Sequence, residues 1–332
     1  RDLIREYVDA FRAEGIKIGL YYSLIDWHHA DYPHFGDRIH PMRDNPAWKD
    51  HPHQFERYLS YMHGQVRELC TNYGKIDILW FDFSYDQMAA EKWRATDLMR
   101  MVRELQPEVI TDNRLEASGD SRESSLLSGH PSAYSGDFVS PEQIIPPTGV
   151  VDANGDWLPW EACITMNNHW GYCATDHEWK SPKSIIRKLV ECVSKGGNLL
   201  LNVGPNAKGE IPAASLAIMA EVGQWLAANG ASIYGCGRAD LPKPEWGYYT
   251  RNGKRLYAHL FDGNFGPTAL AVPKDKVKRI RLVSDGSELL PISAWSTASW
   301  PDYLFINFGP DPVATWPLPD QVDTVVELEL LD

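Results

Sequence analysis

The stretch DILWFDFSYD, residues 77–86, decides how the fold is read. Ile78 to Phe81 form an unbroken apolar run, the pattern of a strand covered on both faces in a parallel sheet rather than the alternation of a half-exposed antiparallel strand. At its end stands Asp82, flanked by Trp80, Phe81 and Phe83. A carboxylate is costly to bury, so its position at the end of a buried strand points to a site where the charge is used. The plain alternatives are a helix cap or a loop ion pair, and nearby Asp86 is read as a helix cap.

The same grammar extends in both directions. Residues 2–14 carry Leu3, Ile4, Tyr7, Val8 and Phe11 at helical spacing, with Asp2 as N-cap and Gly15 as the stop. The apolar run 16–27 after it reads as a buried strand feeding a loop. Helical patterns at 53–73, 88–105 and 181–195 precede strands at 76–83, 108–114 and 198–205. Strands separated by amphipathic helices, with polar residues gathered at strand ends, predict an α/β fold of the (β/α) barrel type. No glycine-rich phosphate turn follows any strand, which disfavours a doubly wound sheet. Residues 115–160, rich in Ser, Gly and Pro, read as a long functional loop.

From about residue 238 the pattern changes to short strands divided by Gly, Pro, Asp and Asn turns, as in a small antiparallel β-sandwich. The expected organisation is therefore a barrel domain over 1–237 and a sandwich domain over 238–332. Arg1 opens directly onto a helix, so the chain is expected to begin in mid-domain.

With 332 residues and a net charge of −13, the chain lacks the basic patch that nucleic acid or an anionic membrane would require, and no apolar run approaches a membrane span. Thirteen Trp and 15 Tyr suit core packing and equally the stacking of sugar rings. The five cysteines, Cys70, Cys163, Cys173, Cys192 and Cys236, are dispersed and form no CxxC pair, so they read as isolated thiols. His28, His29, His34 and His40 lack compact metal-ligand spacing, and no metal is expected. Neither a phosphate-binding loop nor a GxSxG elbow is present.

Carboxylates carry the remaining chemistry. Asp82 comes first. Glu142, in GDFVSPEQIIP (136–146), is a candidate general acid on a loop over the barrel mouth, or else a solvated surface group. Glu161, after Trp160, is the alternative acid or a structural hydrogen-bond partner. Arg114 and Tyr22 stand at strand ends, where they can donate to sugar hydroxyls or serve the scaffold. Two carboxyl groups are what glycoside hydrolysis needs, about 5–5.5 Å apart in retaining enzymes.

Taken together, AFRAEGIKIGLYYSLIDW (10–27), ILWFDF (78–83), TDNR (111–114), GDFVSPEQIIP (136–146), WEACITMNNHWGY (160–172) and GGNLLLNVGPNAKGEIP (196–212) resemble, in this order, the α-L-fucosidases of glycoside hydrolase family 29. The resemblance covers residues 1–237, and YYTRNGKRLYAHLF (248–261) suits that family's C-terminal sandwich. It implies a (β/α)8-like barrel and a retaining exo-enzyme that releases terminal α-L-fucose from glycans without a cofactor. It also implies Asp82 as nucleophile, Glu142 as acid/base with Glu161 as the other candidate, and Arg114 and Tyr22 as sugar contacts, with Tyr21 beside Tyr22 and strand alternation turning only one of the two inward. Trp80 and Trp170 would shape the pocket around the methyl side of fucose. The family's paired-histidine and Glu-Trp motifs have no counterpart here, so a fragment lacking the first barrel strands and part of the sugar site is expected. A periplasmic, secreted or lysosomal setting is implied, and a homo-oligomer is allowed. The rival readings are a non-catalytic glycan-binding protein and another retaining barrel glycosidase such as an α-galactosidase.

Overall fold

A computed structural model describes residues 1–33, 39–85, 88–117 and 123–331; the expected cap Asp86 and His34 lie outside these. The chain folds as two compact units, Arg1–Glu142 with Val150–Trp160, and Gln143–Gly149 with Glu161–Asp332.

In the first unit, α1 (Leu3–Ala13) starts where the Asp2 side chain accepts from the Arg5 amide, and it stops before Gly15, whose φ of 71° is costly for any residue with a Cβ. β1 (Gly19–Ser23) follows, then α2 (Phe55–Asn72), β2 (Ile78–Asp82), α3 (Ala95–Leu105) and β3 (Ile110–Thr111). The strands are parallel in the order β1-β2-β3. Single parallel bridges link Asp112 to Phe138 and Val139 to Trp160. Leu79 and Phe81 of β2 pack into one core with Leu59, Met62 and Val66 of α2 and Leu98 and Val102 of α3. That core fixes which face of the sheet is apolar, and so which face is left for polar side chains.

Two expectations are corrected here. The helix read over 88–105 is helical in the α sense only from Ala95. Residues Ala90–Trp93 form a 3₁₀ turn, and Arg94 takes a left-handed conformation at φ 52°. Trp93 is the cause we identify: fully buried, it donates from its indole to Ser84 Oγ at 3.0 Å, which pins the turn to the end of β2. The strand read over 108–114 is only two residues long, and beyond Thr111 side chains replace the backbone ladder.

β4 (Trp160–Thr165), which belongs to the second unit from Glu161 onward, pairs with β5 (Gly197–Asn202), and α4 (Pro182–Ser194) lies between them in sequence. Ser181 caps α4 by accepting from the Ser184 amide, and Pro182 occupies its first turn, where no amide partner is lost. After α5 (Ala213–Asn229) come β6 (Gly237–Arg238), β7 (Gly247–Asn252), β8 (Arg255–Leu260), β9 (Thr268–Leu270), β10 (Val277–Leu282), β11 (Leu304–Ile306) and β12 (Thr324–Leu330). Five of these form an antiparallel sheet in the order β10-β12-β8-β7-β6, and β9 pairs with β11.

β8 shows how this arrangement is encoded. Leu256, Ala258 and Leu260 share a core with Leu270, Leu304 and Ile306 of the smaller sheet. Tyr257, on the other face, packs with Ile186 and Val190 of α4 and Trp225 of α5. A strand covered on both sides needs apolar residues at nearly every position, as RLYAHL supplies. The exception is His259, buried with Asp323 and Thr250. Among the described residues no helix is long and apolar enough to cross a membrane.

Candidate active site

β1 and β2 run in parallel with Tyr21 opposite Trp80, Tyr22 opposite Phe81 and Ser23 opposite Asp82. Side chains two apart in a strand share a face, so Trp80 and Asp82 project away from the helix-packed side that takes Leu79 and Phe81. Tyr21 joins them there. Its ring stacks on Trp80 with centroids 5.8 Å apart, and its hydroxyl donates to Asp82 Oδ2 at 2.6 Å. Tyr22 turns elsewhere: its hydroxyl donates to Gln65 Oε1 at 2.7 Å, and its ring packs against the core. Burial pushes the phenols of both tyrosines upward, so each remains a donor across the physiological range.

Arg114 organises the centre. Its Nη1 donates to Asp82 Oδ1 at 2.9 Å and to Glu142 Oε2 at 2.8 Å. Nε donates to Ser140 Oγ at 2.9 Å, and Nη2 to the Ser140 carbonyl at 3.0 Å. The guanidinium carbon also lies 4.4 Å from the centroid of the Trp80 ring, a cation–π arrangement. Ser140 is itself held by Asn113, whose Oδ1 accepts from the Ser140 amide and hydroxyl, each at 3.1 Å. The side chain of Arg114 is 5 % exposed, that of Asp82 18 % and that of Glu142 43 %. The guanidinium is thus a buried fixture, Asp82 is reachable from one side, and Glu142 is the group with room to move.

Below this layer lies Asp112, fully buried, with Oδ1 accepting from the Phe81 amide at 2.8 Å. Desolvation holds its carboxyl well above the usual carboxylate range, against the hydrogen bond from Phe81 and the charge of Arg114. Gly136 crosses directly over the Asp112 carbonyl. With φ 80°, and a Cβ that would fall 2.1 Å from that oxygen, the position admits glycine alone.

Backbone strain marks both candidate carboxylates. Four non-glycine residues among those described have positive φ, and two of them, Phe83 at 73° and Gln143 at 56°, immediately follow Asp82 and Glu142. Such conformations cost about 1–3 kcal/mol and persist where surrounding structure holds them.

The structure therefore brings together Asp82, Glu142, Arg114 and Trp80 of the residues singled out from sequence, with Tyr21 in contact and Tyr22 turned to Gln65. Glu161, on β4, and Trp170, in the exposed loop after it, belong to the second unit. In that loop Asp176 Oδ2 accepts from the Asn168 amide at 2.9 Å and sits 2.6 Å from His169 Nδ1. This contact raises the pKa of His169 and lowers that of Asp176. His29 and His40 use Nδ1 to accept the amides of Asp31 and Met42, and among the described residues no three His, Cys, Asp or Glu side chains gather as a metal site.

Sequence reading placed Tyr22 rather than its neighbour Tyr21 at the site, and it missed Asp112, Asn113 and Ser140. Strand alternation alone could have paired Tyr21 with Trp80 once the β1/β2 register was known. Asp112 and Asn113 lie in TDNR and Ser140 in GDFVSPEQIIP, but residue type alone gives none of the three a role there.

Comparison with known proteins gives a consistent set. The family model described as Alpha-L-fucosidase matches residues 1–231. Alpha-L-fucosidase isoenzyme 1 from Paenibacillus thiaminolyticus is 58 % identical, with a TM-score of 0.92 over 100 % of this chain and 76 % of its own. A GH29 alpha-L-fucosidase from Bacteroides thetaiotaomicron, solved as a trapped covalent intermediate with 2-fluoro-fucosyl fluoride, is 27 % identical, with a TM-score of 0.78 over 100 % of this chain and 72 % of its own. Plasma alpha-L-fucosidase of Rattus norvegicus is 27 % identical over 274 residues, 79 % of this chain and 52 % of that protein. The chain spans about half the length of the curated relatives it matches.

Proposed function

The chain belongs to the α-L-fucosidase family, glycoside hydrolase family 29, and from that membership we propose that it is a retaining exo-α-L-fucosidase acting on terminal α-L-fucose of glycans. The observation that carries the reading is the one guanidinium nitrogen shared by Asp82 and Glu142. Two oxygens bonded to the same atom can be no farther apart than those bonds laid end to end, which favours the about 5–5.5 Å separation of carboxyl groups in retaining enzymes over the about 6.5–9.5 Å of inverting ones.

In this mechanism Asp82 attacks the anomeric carbon while the bond to the leaving oxygen breaks and Glu142 gives that oxygen its proton. Water then attacks the fucosyl ester, Glu142 takes a proton from it, and Asp82 leaves as the carboxylate. Tyr21 and Arg114 hold one oxygen of Asp82 each, so the carboxylate is oriented before the sugar arrives. Arg114 also offsets the repulsion between two acids in one site. Glu142 must leave Arg114 to act as an acid, and its greater exposure fits that movement. Glu161 is retained as the alternative acid/base. Trp80 and Trp170 are proposed as further sugar contacts along the apolar side of fucose, and the sugar-contacting role expected of Tyr22 is proposed instead for Tyr21, since Tyr22 is turned to Gln65.

For the fold, the reading carries a (β/α)8-like barrel over 1–237 and a C-terminal β-sandwich over 238–332. The parallel β1-β2-β3 order supports the first, with carboxylates at the ends of its strands; the facing antiparallel sheets support the second. The expected setting is periplasmic, secreted or lysosomal.

The test is hydrolysis of 4-nitrophenyl α-L-fucoside alongside the α-D-galactoside. Fucoside cleavage is expected, with turnover reduced at least about a thousandfold in Asp82→Gly and azide restoring cleavage as the β-fucosyl azide. Galactoside preference, or near-normal turnover in Asp82→Gly, would overturn the reading.

A further inference from the structure

The register of β2 and β3 leads to Asp112. Ile78 pairs with Ile110 and Leu79 with Thr111, and the Ile110 amide donates to the Asp77 carbonyl. In a parallel ladder that continues this register, the Phe81 amide would next donate to the backbone carbonyl of Asp112. It donates instead to the Asp112 side chain, through Oδ1 at 2.8 Å. The backbone of Asp112 is engaged on the other side, bridged to Phe138 and overlaid by Gly136. The ladder is thus extended past the end of β3 by a carboxyl group, and the amide it holds is the one immediately before Asp82.

We infer that Asp112 is a positioning residue for the reaction: by holding the Phe81 amide where β3 has ended, its carboxyl fixes the direction in which Asp82 leaves the sheet. The inference rests on the proposed role of Asp82 as nucleophile. Three observations support it. Asp112 is fully buried and so touches no substrate. The backbone of Arg114 also acts on this carboxyl, so the same buried group adjoins both Phe81, just before Asp82, and the residue whose guanidinium binds Asp82. The residue after Asp82, Phe83, is held at φ 73°, so the chain turns sharply just past the nucleophile, and the bond from Asp112 steadies that turn from its preceding side. The raised carboxyl pKa fits the same role, since whatever disfavours a charge on Asp112 lessens repulsion beside Asp82 and Glu142.

An amide oxygen can take the place of the acceptor, whereas a methyl group cannot, so Asp112→Asn and Asp112→Ala separate the roles. In Asp112→Ala, kcat on 4-nitrophenyl α-L-fucoside is expected to fall by about 10²-fold with KM within about threefold, the cost of a misaligned nucleophile in an otherwise intact sugar site. Asp112→Asn should recover kcat to within about fivefold of the unsubstituted chain. Hydrogen exchange of the Phe81 amide is read in parallel. Its protection should survive in Asp112→Asn and fall at least about tenfold in Asp112→Ala. Equal losses of kcat in both variants, a rise in KM without loss of kcat, or an unprotected Phe81 amide in the unsubstituted chain would each overturn the inference. If Asp112→Ala does not fold, Phe81 protection in Asp112→Asn decides the matter: retention supports positioning and a tenfold loss refutes it. If the unsubstituted chain releases no fucose, the fucosidase reading fails separately, and the exchange measurements still decide whether Asp112 holds the end of β2.

Discussion

Arg114 shows how much one side chain can organise: it donates to two carboxylates, fixes Ser140 through two bonds and lies over Trp80. The residues around it differ in how legible they were. Asp82 stood out because it interrupts an apolar run, and Glu142 and Arg114 because family motifs carry them. Tyr21 could not be separated from Tyr22 without the β1/β2 register, since adjacent tyrosines present the same composition to a reader and opposite faces to the protein. Gly136 was legible as a loop glycine but not as a close approach. At this position Gly136→Ala combines an unfavourable φ with a Cβ driven into the Asp112 carbonyl. It should lower stability by about 2–3 kcal/mol in urea unfolding and displace Asp112 and Arg114, reducing activity in the fraction that folds. Unchanged stability would contradict the packing described.

At the scale of elements, the strands of the second unit are tied together by a buried polar chain. Thr250 of β7 donates to the Ser232 carbonyl at 2.7 Å, so its oxygen is left to accept from His259 Nε2 of β8, 3.1 Å away. His259 Nδ1 lies 2.7 Å from Oδ2 of Asp323, just before β12, within hydrogen-bond distance. Burial raises the pKa of Asp323 and the contact with His259 opposes the rise. A raised carboxyl stabilises the fold below the ordinary carboxylate range and loses that contribution as pH rises through the elevated value. His259→Phe removes the opposing partner, so it should cost about 3–5 kcal/mol near pH 8 and distinctly less near pH 5, measured as urea midpoints. A cost that does not grow with pH would refute the coupling. Sequence reading had β8 as a strand, but its residue pattern cannot reveal that the buried His259 is matched sixty-four positions later.

Across the whole molecule, the change from helix-separated parallel strands to short antiparallel strands was legible because the two arrangements bury their faces differently and so write different periodicities. What periodicity could not convey was where β3 ends, because the ladder there passes from backbone to side chain at Asp112. The central claim is that Asp82 forms a covalent bond to the sugar. Incubating the chain with 2-deoxy-2-fluoro-α-L-fucosyl fluoride and sequencing its peptides by mass spectrometry tests this directly. One fluorofucosyl adduct per chain, carried by Asp82, is the predicted result; an adduct on any other residue, or steady fucoside hydrolysis with no adduct formed, would contradict it.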